Sequence, residues 1–359
     1  MPDFDEFTSL IKPLWESKML TNGGAFVSMF ENEVASFLGE KYVSVYSNGT
    51  IPLLAAFKAL GLKGEVITTP YTFVATAHAL IWSGLMPVFV DVDPTTGNLD
   101  PFGIQRAITS RTSAILPVHV YGRPCRTEDI DAIARENGLE VIYDAAHAFG
   151  VRRNGESITS AGSISTLSFH ATKVFNTLEG GAIVCRDEET KLLVDRFRNF
   201  GFKSETEVEA VGINAKMDEM RAAFGILNLR NLPEAIMRRQ ALAEKYANAF
   251  SDIKGIELPA FDDADTEYNY SHYPILLPNK AKREDLYASL KSRGIFARRY
   301  FYPLVSDFHP YDRCKGAEST PNARLLSDRV LCLPFYPDLI ESNFERILSA
   351  IRLSIIDNK

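Results

Sequence analysis

Between residue 30 and about residue 230, short apolar runs alternate with stretches whose apolar residues recur every three or four positions. The runs "EVITTP" (65–70), "PVFVDVD" (87–93), "SAILPVHVYG" (113–122), "LEVIYDAAHA" (139–148), "STLSFH" (165–170) and "GAIVC" (181–185) read as strands. Between them "IPLLAAFKALG" (51–61), "TFVATAHALIWSG" (72–84) and "TEDIDAIARENG" (127–138) have helical spacing and end at glycine. This alternation predicts βα units and a largely parallel sheet. "LPEAIMRRQALAEKYANAF" (232–250) then predicts a long amphipathic helix whose length suits a bridge between two domains. Beyond it, "YNYSHYPILLP" (268–278), "REDLYASLKSRGI" (283–295) and "ESNFERILSAIRLSII" (341–356) read as a small α+β unit. The expected organisation is a large α/β domain over residues 1–235 and a smaller C-terminal α+β domain over 236–359 that includes the bridging helix.

Composition narrows the function. The chain has 359 residues, is 46% hydrophobic and carries a net charge of −7, enough apolar material for a large buried core. Its Lys and Arg residues are scattered, so no nucleic-acid footprint is present. Cys125, Cys185, Cys314 and Cys332 lie far apart with no CxxC pair, which predicts neither a zinc site nor a disulfide framework, and no metal is expected. The acidic start "MPDFDEFTSLIKPLW" lacks the pattern of a signal peptide, and no apolar stretch is long enough to span a bilayer. A cytoplasmic protein without a membrane partner is expected.

Two nucleotide signatures fail. "GVRRNGES" (150–157) has Glu156 where a phosphate-binding P-loop needs lysine, and no GxGxxG opens the first βα unit. "DVD" at Asp91–Asp93 has two readings: a metal-binding carboxylate pair of a glycosyltransferase, or a strand end running into the turn "DPTTGN". Asn48-Gly49-Thr50 lies where a helix begins, and so is either an N-cap or part of a phosphate cradle. Asp144 ends an apolar strand, at the edge where parallel sheets place their ligands, or else it caps a helix after that strand. An ionised carboxylate there suits a protonated pyridine nitrogen such as that of pyridoxal phosphate. Lys173, in "SFHATKVFNTLEGGAIV" (168–184), lies beyond that strand and precedes the turn Glu179-Gly180-Gly181. It is either a solvated loop lysine or a Schiff-base nucleophile made reactive by desolvation.

Taken together, "SNGT", "PYTFVAT", "PVFVDVD", "ILPVHVYG", "YDAAHA", "SFHATK…EGGAIV" and "NAKMDEMRAAFG" give the chain, from about residue 20 to residue 339, a sequence that resembles the DegT/DnrJ/EryC1/StrS family of pyridoxal-phosphate-dependent nucleotide-sugar aminotransferases. The resemblance implies fold type I, the aspartate-aminotransferase-like fold. It implies that Lys173 carries the cofactor as a Schiff base, that Asp144 pairs with the pyridine nitrogen and that Phe73 stacks on the ring. It places His147 near the phenolic oxygen, Gly49, Thr50 and Ser168 at the phosphate, and Asn214 at the phosphate of a neighbouring subunit, so that a homodimer shares its active sites. Dehydrating members carry histidine at the lysine position; Lys173 therefore implies transamination. The implied reaction moves the amino group of L-glutamate to a keto group of a nucleotide-linked deoxysugar, for O-antigen or another glycan. "INAKMDE" and "RRYFYPL" resemble enzymes that aminate C4 of dTDP-4-keto-6-deoxy-D-glucose, with C3-aminating relatives as the alternative. Arg298, Arg299 and Tyr302 of "FARRYFYPL" are the expected contacts to the sugar nucleotide, because arginine forks suit diphosphate oxygens; the bland reading is a solvated strand end. Rival readings from other classes are a glycosyltransferase built on Asp91 and Asp93, and a non-catalytic regulator that binds a nucleotide sugar.

Overall fold

In the computed structural model, which describes residues 1–356, seven strands form one sheet. β1 (Tyr42–Tyr46), β2 (Glu65–Thr68), β3 (Met86–Phe89), β4 (Thr112–Ile115), β5 (Glu140–Asp144), β6 (Ile164–Ser168) and β7 (Gly181–Cys185) lie side by side in the order β1-β7-β6-β5-β4-β2-β3. Neighbours from β3 through β6 are parallel, while β7 runs antiparallel to both β6 and β1. The reason is the connection: a loop without a helix joins β6 to β7, and a parallel return needs a longer crossover.

Alternation along each strand divides the core between two faces. Ala182 and Val184 of β7, with Val43 and Val45 of β1, pack against α2 (Ala25–Leu38) and the start of a long helix. Ile183 and Cys185 face the other side, under α3 (Ile51–Ala59), α4 (Val74–Trp82) and the helix Glu188–Arg198. α2 and the helix before it, α1 (Phe4–Ser17), precede the segment in which the βα alternation is legible. α2 presents Phe26, Phe30, Val34 and Leu38 to the core at helical spacing. Its first turn is capped from afar: the fully buried Glu219 carboxylate accepts from Gly24 N (2.9 Å) and Phe26 N (2.7 Å), a charge placed on the positive end of the helix.

The bridging helix is longer than the pattern predicts. It runs from Glu219 to Phe250 as one element with Pro233 inside it, whereas the amphipathic pattern marks only residues 232–250. The expected domain boundary at residue 235 thus falls within a continuous helix. Its first half, to Leu232, packs in the large core, and Leu242, Tyr246 and Phe250 pack in the small one. There, β8 (Pro274–Leu276) pairs antiparallel with β9 (Val330–Cys332) beneath the helices Lys280–Ser292 and Glu341–Ile356. Residues 357–359 of the expected small domain lie outside the described residues. All but the last of the six predicted strands stop early: 65–70 ends at Thr68, 87–93 at Phe89, 139–148 at Asp144, 165–170 at Ser168 and, furthest from its prediction, 113–122 at Ile115. Segment 113–122 continues as a tight 3-10 turn, Val120–Gly122. No described helix is long and apolar enough to cross a membrane.

Candidate active site

At the carboxyl edge of the sheet, β5 ends at Asp144, β6 ends at Ser168, β1 leads into Asn48-Gly49-Thr50, and β2 leads into Phe73. This is the edge where parallel sheets gather ligand-binding groups. Lys173 lies in the loop between β6 and β7. Phe169 and Phe175 flank it, are 0% and 1% exposed, and pack on each other at 4.9 Å and on Phe149 and Phe30. Backbone bonds from Thr177 N to Phe169 O (2.9 Å) and from Lys173 N to His170 O (2.9 Å) tighten the loop. Two buried aromatics thus pin the backbone on either side of a half-buried lysine, and truncating either ring would cost about 3–5 kcal/mol.

Asp144 is buried; its Oδ2 accepts from Thr76 Oγ1 (2.8 Å) and its Oδ1 from Ala146 N (3.1 Å). Burial pushes its carboxyl above the usual range, against the opposing pull of Thr76, Ala146 N and Lys173. Burial likewise lowers the Lys173 amine to about 8, with Asp144 pulling the other way. Desolvation therefore outweighs mutual attraction in both groups, and the amine is poised to lose its proton near neutral pH.

His147 is buried beside them, and its Nδ1 accepts from Tyr121 N (3.2 Å). Burial, Lys173 and His272 hold its imidazole well below the ordinary histidine range. His272 comes from the small domain, with its ring 4.5 Å from that of His147, and burial takes its pKa down to about 3. At the other side of the site Gly49 meets Ser168: a Cβ on Gly49 would sit 2.6 Å from the Ser168 Cβ and Oγ. Only glycine lets these two turns approach so closely. Asn48 Oδ1 accepts from Thr50 N (2.9 Å) and Ile51 N (3.0 Å), so Asn48 caps the helix start, and the Thr50 side chain makes no capping bond. Phe73 stands at the start of α4 with 57% of its surface exposed. A reactive amine, a buried carboxylate, an open aromatic face and a narrow cradle fit the aldehyde, ring nitrogen, ring and phosphate of pyridoxal phosphate.

The profile of the DegT/DnrJ/EryC1/StrS aminotransferase family matches residues 3–352. The chain belongs to this family. The dTDP-4-amino-4,6-dideoxy-D-glucose transaminase of Shigella dysenteriae is 46% identical over 354 residues, covering 98% of this chain and 96% of its own. The crystal structure of DesI in the presence of its TDP-sugar product superposes with a TM-score of 0.94 at 36% identity, covering 100% of this chain and 92% of that one. That of NtdA from Bacillus subtilis, solved with the bound cofactor PMP, superposes with a TM-score of 0.88 at 27% identity, covering 98% and 82%. The DegT/DnrJ/EryC1/StrS family is pyridoxal-phosphate-dependent, and fold type I is the fold seen here.

Residues expected at the sugar nucleotide lie differently. Arg299 is held by both carboxylate oxygens of Glu284 (2.9 and 3.0 Å) and lies over the Tyr287 ring. Tyr302 packs under Arg283, whose guanidinium is 3.9 Å from its ring centroid. Both thus point into the helix Lys280–Ser292, and it is their neighbours Tyr300 and Phe301 that contact His272 and His147. Arg299 and Tyr302 flank a turn at Tyr300–Phe301, so the two rings of the turn face the site while its flanks face the helix. Arg298 is exposed, and its side chain has no partner among the described residues. Asn214 is exposed too, and its Oδ1 accepts from Lys216 (3.0 Å). Asp91 accepts from Asn322 N and Ala323 N, and Asp93 from Thr95 N and Thr96 N, so both carboxylates cap backbone, and no group of three or more His, Cys, Asp and Glu arranged to hold a metal occurs among the described residues.

Sequence reasoning missed Thr76, Tyr121, His272 and Tyr300. Thr76 has the spacing of ordinary helix filler. His272, one of six histidines in the chain, sits in a segment whose pattern suggests only a small-domain strand.

Proposed function

We propose that the chain transfers the amino group of L-glutamate to C4 of dTDP-4-keto-6-deoxy-D-glucose, as a homodimer in the cytoplasm, in the making of an amino sugar for O-antigen or another glycan. The observation that carries the reading is the gathering, at the carboxyl edge of the sheet, of the buried Asp144 carboxylate and Lys173, whose amine burial lowers to about 8. The nearness of the Shigella transaminase supports C4 and the dTDP sugar. Amination at C3 is the second choice.

Bound pyridoxal phosphate supplies an electron sink and a carrier for the amino group. Lys173 Nζ would hold it, and as a free amine would take and return a proton at the substrate carbon, a role suited to an amine that burial lowers to about 8. Asp144 balances a positive ring nitrogen. Its buried carboxylate gains a cationic partner there, which offsets the desolvation seen in its raised pKa. Thr76 orients that carboxylate, Phe73 covers one ring face, and Gly49, Thr50 and Ser168 form the phosphate cradle. Asn214, exposed on its own chain, reaches the phosphate of the other subunit, and Arg298 meets the diphosphate of the sugar nucleotide.

Borohydride reduction of protein reconstituted with pyridoxal phosphate, combined with peptide mapping, tests the site. The cofactor should be fixed on the peptide that carries Lys173. Label on another lysine, or none with the visible absorption absent, would overturn the assignment.

A further inference from the structure

Tyr121 lies in the segment where a strand was expected, and its backbone has φ +57° and ψ +18°. A bulky side chain is rarely found in this left-handed region, and it persists only where the surroundings hold it. Here they do. Gly122 comes next at φ +81°, and a Cβ on it would lie 2.6 Å from Asn269 Oδ1 and 2.8 Å from His147 O, so the turn is packed directly on the His147 backbone. Asn269 Nδ2 donates to His147 O (2.8 Å) and Phe149 O (3.0 Å). Asn98 braces the other side: its Oδ1 accepts from Val120 N (2.9 Å) and its Nδ2 donates to Pro124 O (2.9 Å). Both asparagines are buried.

The result of this bracing is one hydrogen bond, from Tyr121 N to His147 Nδ1 (3.2 Å). A neutral imidazole carries one proton, and a nitrogen that accepts cannot hold it, so the proton stands on Nε2. The Tyr121 side chain acts on the same imidazole from the other direction. Its hydroxyl bonds the Tyr71 hydroxyl (2.6 Å) and donates to Tyr300 O, while its ring lies parallel to those of His147 and Phe301, themselves 5.9 Å apart.

We infer that Tyr121 is a positioning residue: its left-handed backbone fixes His147 as the Nε2–H tautomer, and its hydroxyl clasps the small-domain segment at Tyr300–Phe301 over that imidazole. Its use to the reaction rests on the function proposed above and on the position near the cofactor's phenolic oxygen that the family resemblance implies for His147. The tautomer does not, because it is a property of the cofactor-free protein.

The test uses cofactor-free protein labelled with heavy nitrogen in histidine, with the imidazole resonances of His147 assigned by their loss in His147→Gln. The wild type should show protonated Nε2 and bare Nδ1. Tyr121→Gly and Tyr121→Asn, whose backbones tolerate positive φ, should keep that pattern, and Tyr121→Val, whose backbone does not, should lose it. Tyr121→Phe should keep the tautomer and raise hydrogen exchange across residues 299–305 severalfold. A wild type protonated on Nδ1, or loss of the pattern in the glycine variant, would overturn the backbone role even if the valine variant did not fold. Unchanged exchange in Tyr121→Phe would overturn the clasp.

Discussion

The ionisation of Lys173 is the property on which the chemistry turns, and it can be measured before any substrate is added. Burial takes the amine from its ordinary 10.5 to about 8. At about pH 7.5 that leaves roughly a quarter of the amine neutral, against roughly a thousandth for a solvated lysine, a gain of about two hundredfold in the nucleophilic form. Because the folded-state value lies below the unfolded one, the unfolded chain binds more protons between about pH 8 and 10.5. The cofactor-free protein should therefore gain stability as pH rises through that window, relieving a penalty on the order of 3 kcal/mol that is fully present below pH 8. Asp144 acts against burial, so Asp144→Asn should lower the amine further and enlarge the neutral fraction. The same change should cut turnover by orders of magnitude, since an amide cannot balance a positive ring nitrogen. The assay is a pH titration of the labelled ε-carbon of Lys173 by NMR in cofactor-free protein, assigned by its absence in Lys173→Ala. A midpoint near 10.5 in the wild type, or a higher midpoint in Asp144→Asn than in the wild type, would refute the reasoning.

Gly49→Ala should weaken pyridoxal phosphate binding at least tenfold, because the new methyl would sit 2.6 Å from Ser168 Cβ and Oγ; equilibrium dialysis reads it, with a stability loss of about 1–3 kcal/mol from overpacking. Mixing inactive Lys173→Ala chains with weakened Asn214→Asp chains should restore activity in mixed dimers, and no recovery after verified subunit exchange would remove Asn214 from the neighbouring site. Arg298→Ala should raise KM for the nucleotide sugar and spare the glutamate half-reaction. Arg299→Ala should leave both half-reactions near native and cost about 1–2 kcal/mol, since it loses a partly exposed ion pair with Glu284 and a ring contact with Tyr287.

How much was legible depends on the kind of signal each part leaves. Strands buried on both faces, such as Glu140–Asp144 and Gly181–Cys185, read as continuous apolar runs, and their order with the helices gave the parallel sheet. Asp144, Lys173 and the Gly49 turn stand at or just beyond strand ends, so a sequence that marks strands also marks them. Long-range capping left no trace: Glu219, far along the chain, caps α2 through Gly24 and Phe26, and nothing near residue 25 announces a helix start. The amphipathic pattern marked the bridging helix only from residue 232, although it is already under way from Glu219. The small domain was the least legible, because segment 298–303 turns at Tyr300–Phe301, and a local turn that aims two successive rings at the site leaves no periodic signal. Tyr300 was missed for that reason, His272 because its segment reads as an ordinary small-domain strand, and Tyr121 because a left-handed tyrosine has no signature in composition.

The central claim is amino transfer to C4 of a dTDP-linked keto sugar. Incubating the cofactor-loaded protein with L-glutamate labelled with heavy nitrogen and, in parallel reactions, dTDP-4-keto-6-deoxy-D-glucose or its 3-keto isomer tests it directly, with the product read by NMR. The expected result is the label bonded to C4, with 2-oxoglutarate formed in equal amount. Label bonded to C3 of the 3-keto isomer alone, or no transfer to either sugar from protein that holds its cofactor on Lys173, would contradict it.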